Sequence, residues 1–300
     1  IISGNESIAL GAIGCGVRAY YAYPMTPATS IFKFLGETAT ETGILVKQAE
    51  NEITAVQMAL GSMYMGTRAM VGTSGGGFDL MLETVSCSGM SETPLVLIVS
   101  QRIGAGTGVP TWTGAGDLNS GIKGGHGEFP RCVLALSDAK SSYTLTQEAF
   151  NIAERYQIPV IILTEKQISE SHFCIEELPK NIKIDRYLNN NENRYTITED
   201  GISERWIPEK GVKPYISTSD EHDEKGTSTE DPQIIMEMQE KRIRKLQTLT
   251  KDLPEPTLYG KESSKTIFVG WGSVKNPILD VIEAGIDIAY LHYNYIYPLK

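Results

Sequence analysis

The chain has 300 residues, 41% of them hydrophobic, enough for about two domains with real cores. A formal net charge of -10 argues against nucleic acid or an anionic membrane surface as partner, and no run approaches the ~20 apolar residues of a membrane span. The 4 cysteines, Cys15, Cys87, Cys132 and Cys174, are scattered without a C-x-x-C pair, which suits packing in a reducing cytoplasm and offers no local zinc or iron–sulfur site.

In chain order, residues 5–18 are small and apolar and predict a tightly packed helix whose glycines admit a neighbouring backbone. A short strand over 19–23 runs into Tyr23-Pro24-Met25-Thr26-Pro27-Ala28-Thr29, followed by a helical run over 28–42. Pro24 stops the strand, since it has no N–H for a ladder. Pro27 suits the first helical position, which puts Thr26 at the N-cap, its hydroxyl beside the free amides. A second strand over 44–48 leads through Ala49-Glu50-Asn51-Glu52 into a helix over 53–65. A third, over 69–73, ends in Ser74-Gly75-Gly76-Gly77 ahead of a helix over 78–90. The fourth, over 94–100, is wholly apolar and therefore central, and it runs into Gln101-Arg102 and a glycine-rich loop over 104–127. Strands over 132–136 and 160–163 flank a helix over 142–156.

Beyond residue 168 the texture turns polar, with Asn189-Asn190-Asn191 and Asp220-Glu221-His222-Asp223-Glu224 reading as solvated loop; a metal role for His222 is the less favoured reading. Residues 232–250 form one charged amphipathic helix. Residues 265–272 open a new unit with a helix over 276–284 and a strand over 287–292. The expected organisation is an α/β domain over 1–168, a polar connector over 169–262 and the start of a second α/β domain over 263–300. With no initiator Met and an ending just after a strand, the chain reads as a fragment of a longer subunit.

Strands alternating with helices predict a doubly wound parallel sheet, whose ligands bind beyond the carboxyl ends of the strands. Four successive strand ends carry chemistry: Thr26, then Glu50 and Glu52, then the glycine turn, then Arg102. Clustered amides at Ser74-Gly75-Gly76-Gly77 suit a phosphate, but a P-loop lysine and a G-x-G-x-x-G fingerprint are absent, and close packing of a tight turn is at least an equal reading. Arg102 suits a carboxylate held in two-pronged fashion. His126 reads as a loop histidine.

The strings YPMTPATS, QAENEITAVQMALGS, TSGGGFDLM, ETPLVLIVSQR, GTGVPT, GDL and GHGEFPR, in this order, closely resemble the alpha subunit of 2-oxoacid:ferredoxin oxidoreductases, of the 2-oxoglutarate or broad 2-oxoacid type. The resemblance extends through GISERWIP, DEHDEKG, TED, EKRIRKL and FVGWGS. It implies an enzyme that decarboxylates a 2-oxoacid oxidatively to acyl-CoA, with thiamine diphosphate as cofactor, coenzyme A as co-substrate and ferredoxin as electron acceptor. Residues 1–168 would be the pyrimidine-binding domain. Glu52 matches the glutamate that hydrogen-bonds the aminopyrimidine, Thr26 the threonine that contacts substrate, and Arg102 the arginine that holds the substrate carboxylate. Pro24, Ser74, Gly75 and Gly76 join Glu52 as cofactor-binding candidates. No metal ligand is assigned here: magnesium and the [4Fe-4S] cluster are expected on a beta subunit, with a gamma subunit or fused gamma domain completing the assembly. The loop departs from relatives at Ile103-Gly104-Ala105-Gly106 and over 111–116, so substrate choice is left open. The alternatives are another thiamine diphosphate component and a non-catalytic scaffold.

Overall fold

The computed structural model describes residues 1–189, 193–209 and 212–300; of the Asn189-Asn190-Asn191 run, only Asn189 is among them. The chain opens with β1 (Ile2–Ser3) and α1 (Gly4–Gly14), whose Ser3 and Glu6 close a capping box. Then come β2 (Ala19–Ala22), α2 (Thr29–Thr42), β3 (Leu45–Gln48), α3 (Glu52–Tyr64), β4 (Ala69–Thr73) and α4 (Gly75–Met90). β5 (Leu95–Ile103) is followed by β6 (Val109–Thr113), which folds back on its end, and by the short α5 (Leu118–Lys123). β7 (Cys132–Ala135), α6 (Ala139–Tyr156), β8 (Pro159–Glu165), α7 (Lys166–Glu170) and β9 (His172–Phe173) complete the first run. After a long irregular stretch come α8 (Pro232–Asp252), β10 (Thr257–Gly260), β11 (Ile267–Gly270), α9 (Lys275–Glu283), β12 (Ala289–His292) and β13 (Tyr295–Tyr297).

The main sheet runs β13-β7-β8-β5-β4-β2-β3, with β6 pairing β5 off this path. All its pairs are parallel except β13 on β7 and β6 on β5. β4, β7 and β8 are buried along their whole length, and β5 up to its last residue, as the runs of Val, Ile and Leu require of strands covered on both faces. The expected parallel sheet is therefore present, and a small second sheet, β10-β12-β11, stands near the C-terminus.

Two local expectations are corrected. Thr26 is not the N-cap of α2: the Ala28 amide donates to the Met25 carbonyl in a turn, Ala28 takes the cap position, and the helix begins at Thr29. Pro27, expected at the first helical position, therefore lies ahead of the cap. The glycine turn is not a separate loop either, because Gly75–Gly77 are the first turn of α4.

The polar stretch after residue 173 is solvated only in part: among its described residues Asn189 and Asp220 are exposed, as expected, whereas others are not. Arg194, Tyr195, Arg205, Trp206 and His222 are buried. His222 lies on the Tyr195 ring, its Nδ1 2.9 Å from the Asp220 carbonyl, and burial pushes its pKa down. The buried charges are countered by carboxylates. Glu154 on α6 receives Arg68 at 2.6 Å, Arg186 at 2.8 Å and Arg205 at 3.2 Å. Glu92, between α4 and β5, receives Lys241 at 2.7 Å and pairs with Lys245, while Arg194 donates to its carbonyl at 2.8 Å. Burial alone would raise the Glu92 pKa; Lys241, Lys245 and Arg194 overcome it and hold the carboxyl far below its usual range. These two carboxylates fasten the irregular stretch and α8 to the sheet.

Candidate active site

The strand order supplies the location. From β2 the chain moves outward to β3, then returns to place β4 on the other side of β2. This reversal opens a crevice between the carboxyl ends of β2 and β4, where open α/β sheets bind ligands. The loop after β2 carries Pro24 and Thr26, α3 begins just after β3, and α4 begins at the end of β4.

At this crevice the two acidic candidates separate. Glu50 is exposed, whereas Glu52, the first residue of α3, is 3% exposed. Asn51 caps the helix, its Oδ1 accepting from the Thr54 amide at 2.9 Å, which leaves the Glu52 carboxyl free. That carboxyl lies over Gly77. A Cβ on Gly77 would meet Glu52 Oε1 at 2.8 Å and Thr73 Oγ1 at 2.1 Å, so glycine is what admits the acid. Glu52 Oε1 is buried without a hydrogen-bond partner. Ser74 is the N-cap of α4, yet its hydroxyl caps nothing and is likewise buried and unpartnered.

Arg102 leaves the end of β5 and is 8% exposed. Its Nη1 donates to the Thr26 carbonyl at 2.9 Å, so the structure brings these two candidates together. The contact runs through the Thr26 backbone, and the Thr26 residue itself is exposed. Arg102 Nε is buried without a partner. Gly75 and Gly76 have close neighbours too: Cβ atoms there would meet Asp117 Oδ1 at 2.8 Å and the Gly106 carbonyl at 3.4 Å. Pro24 is half-buried in the same loop.

Sequence reasoning overlooked Gln101 and Asp117. Gln101 Oε1 accepts from the Asp117 amide at 3.0 Å, closing the base of the arm that carries β6. The only local signal was the Gly116-Asp117-Leu118 string. Cavities of about 400 and 540 Å³ open elsewhere, one beside Asp138, Lys275 and His292, the other beside Phe129, Arg131 and Tyr297; neither includes Thr26, Glu52, Ser74 or Arg102. Among the described residues no group of His, Cys, Asp and Glu is placed to hold a metal ion, and no helix is long and apolar enough to cross a membrane.

Residues 10–241 match the family described as pyruvate flavodoxin/ferredoxin oxidoreductase, thiamine diP-bdg. The chain belongs to this family. It is 38% identical over 94% of its length to the 2-oxoacid:ferredoxin oxidoreductase subunit alpha of Saccharolobus solfataricus, covering 48% of that protein. It is 31% identical over 99% of its length to the 2-oxoglutarate synthase subunit KorA of Methanocaldococcus jannaschii, covering 82% of it. Among solved structures it is similar to the 2-oxoglutarate:ferredoxin oxidoreductase from Magnetococcus marinus with 2-oxoglutarate, coenzyme A and succinyl-CoA bound. That match has a TM-score of 0.93 and 32% identity over 99% of this chain and 54% of that one. The chain thus spans about half the length of several relatives it matches. The family binds thiamine diphosphate, and this chain's residues fit such a group: a buried, unpartnered carboxyl at a helix start and a glycine first turn lie in one crevice.

Proposed function

We propose that this chain is the alpha subunit, or part of it, of a 2-oxoacid:ferredoxin oxidoreductase that converts a 2-oxoacid and coenzyme A to acyl-CoA and carbon dioxide. The observation that carries the reading is the Glu52 carboxyl, buried and unpartnered over Gly77 at the switch-point crevice. A buried carboxyl left without a partner is costly unless a ligand completes it. Glu52 would hydrogen-bond the aminopyrimidine of thiamine diphosphate, with Pro24, Ser74, Gly75 and Gly76 lining the cofactor. When bound, that cofactor supplies the carbon nucleophile and the electron sink for decarboxylation. Arg102, its Nη1 tied to the loop and its Nε free, would hold the substrate carboxylate in one orientation. Thr26, exposed beside it, would hydrogen-bond the reacting oxygen.

The rest of the site would come from a beta subunit, which supplies magnesium, the diphosphate contacts and the [4Fe-4S] cluster; a gamma subunit or domain and ferredoxin complete the electron path. Exposed apolar side chains on the elements that carry the site support such a partner: Tyr23 after β2, Ile53 and Met58 on α3, Leu80 on α4 and Trp112 on β6. A cytoplasmic location fits the free thiols.

The test is Glu52→Ala in the complex assembled with the beta subunit, thiamine diphosphate and magnesium, followed by CoA-dependent reduction of a viologen dye. The expected loss is about 100-fold or more. A rate equal to wild type would overturn the role of Glu52.

A further inference from the structure

At the start of α4, two residues that normally cap helices cap nothing. Ser74 precedes α4 and Asp117 precedes α5, both residue types that favour the N-cap, and neither side chain bonds its own helix. Instead, Asp117 lies over Gly75, with Oδ1 2.8 Å from where a Gly75 Cβ would stand. Its other oxygen, Oδ2, is buried and unpartnered. Gln101, fully buried, uses its Oε1 to hold the Asp117 amide at 3.0 Å, and its Nε2 is buried and unpartnered as well. These unmet groups cluster beside the first turn of a 16-residue helix, where backbone amides and the helix dipole favour an anion.

We propose that Gln101 and Asp117 form, beside the α4 N-terminus, the subsite that takes the far carboxylate of a dicarboxylic 2-oxoacid, with Asp117 setting the preference for dicarboxylic over monocarboxylic substrate. The inference rests on the function proposed above and names the part of that site which selects substrate. Gln101 Nε2 donates to the anion as it stands. Asp117 is useful there only as the neutral acid, donating through Oδ2; ionised, it would repel a second carboxylate. The surroundings shift its balance toward the neutral form. Burial raises the Asp117 pKa, Asp79 on α4 raises it further, and Arg102 on β5 opposes them without forming an ion pair with Asp117. Rising pH therefore strips the proton from Asp117 and weakens the hold on a dicarboxylate, while a monocarboxylate, which places no charge there, is unaffected by this step.

The experiment compares kcat/KM for 2-oxoglutarate and for pyruvate in the assembled complex across neutral and acid pH. In wild type the ratio of the two falls about tenfold as pH rises through the Asp117 titration. Asp117→Asn, a permanent donor of similar shape, holds the ratio level. Gln101→Glu keeps the acceptor for the Asp117 amide but, once ionised, replaces the donor with a charge, so it lowers the ratio about tenfold at neutral pH and provides a second readout if Asp117→Asn folds poorly. A purely structural role would lower both substrates together. Ratios in both variants that track wild type at every pH would overturn the subsite and leave the enzyme assignment standing. Failure of the wild-type complex to oxidise any 2-oxoacid, with clusters intact, would overturn the enzyme assignment and the subsite with it.

Discussion

Charge is buried in two regions of this molecule and handled in opposite ways. At Glu92 and Glu154, carboxylates sunk out of water are surrounded by lysines and arginines from the irregular stretch and α8 and, at Glu154, by Arg68 just ahead of β4. At the carboxyl ends of β2 to β5, Glu52 is withdrawn from solvent and Asp117 is half-buried, neither with a cation paired to it, and polar atoms of Gln101 and Arg102 go unmet. The first arrangement serves assembly, because each pair joins segments distant in the chain. Both regions leave some hydrogen-bonding atoms unmet, Arg194 Nε and Arg205 Nε in the first among them, but only in the second are the unmet atoms on carboxyls with no cation beside them, and those have value only when something else arrives to complete them.

The largest effect separating the two regions should be on stability. Glu92→Ala leaves Lys241, Lys245 and Arg194 buried around a missing carboxylate, and the expected loss is about 3–5 kcal/mol. Glu52→Ala removes a carboxyl that pairs with nothing, so the unfolding midpoint in urea should stay level or rise while activity collapses. If Glu52→Ala destabilised the chain as much as Glu92→Ala, the distinction between fastening and functional charge would fail.

A middle-sized effect tests how tightly the rim is built. Gly77→Ala would put a Cβ 2.1 Å from Thr73 Oγ1 and 2.8 Å from Glu52 Cγ, an overpacking expected to cost about 1–3 kcal/mol and to displace the Glu52 carboxyl. Gly36→Ala, on the exposed side of α2 with nothing within 4 Å, should instead stabilise by about 0.5–1 kcal/mol through helix propensity. Thermal unfolding of the pair checks both signs.

The rim was largely legible in the sequence because its signals are local. Apolar runs closed by Pro24, Glu52, the glycine turn and Arg102 mark strand ends within a few residues, and doubly wound sheets gather such ends along one edge. What failed locally was the cap at Thr26, because a turn bond from Ala28 to Met25 delays α2 by two residues beyond where Pro27 suggested. The fastening region was illegible for a different reason. Lys241 reaches Glu92 across 149 residues and Arg68 reaches Glu154 across 86, so no window of sequence contains both partners, and each charge alone looks like a solvated face. Asp117 fell between these cases: its string was visible, but its approach to Gly75 depends on how the β6 arm returns to the sheet.

The smallest effect comes from within the fastening region, where two lysines share one carboxylate. Lys241 already donates to Glu92 at 2.7 Å, so Lys245 is the surplus charge. Burial pushes its pKa down to about 7, with the Glu92 carboxylate opposing. The unfolded chain keeps that proton up to the ordinary lysine value near 10.5, so between about 7 and 10.5 the unfolded state binds more protons and stability rises with pH. Below about 7 the cost of burying the charged amine is fully present. Lys245→Met retains the packing stem and deletes the charge. It should gain on the order of 1 kcal/mol near neutral pH and flatten the alkaline rise. Urea midpoints for wild type and variant at neutral and alkaline pH measure both. A loss comparable to that of Glu92→Ala would mean that Glu92 needs both lysines, and that the fastening region has no surplus to contrast with the unmet groups at the rim.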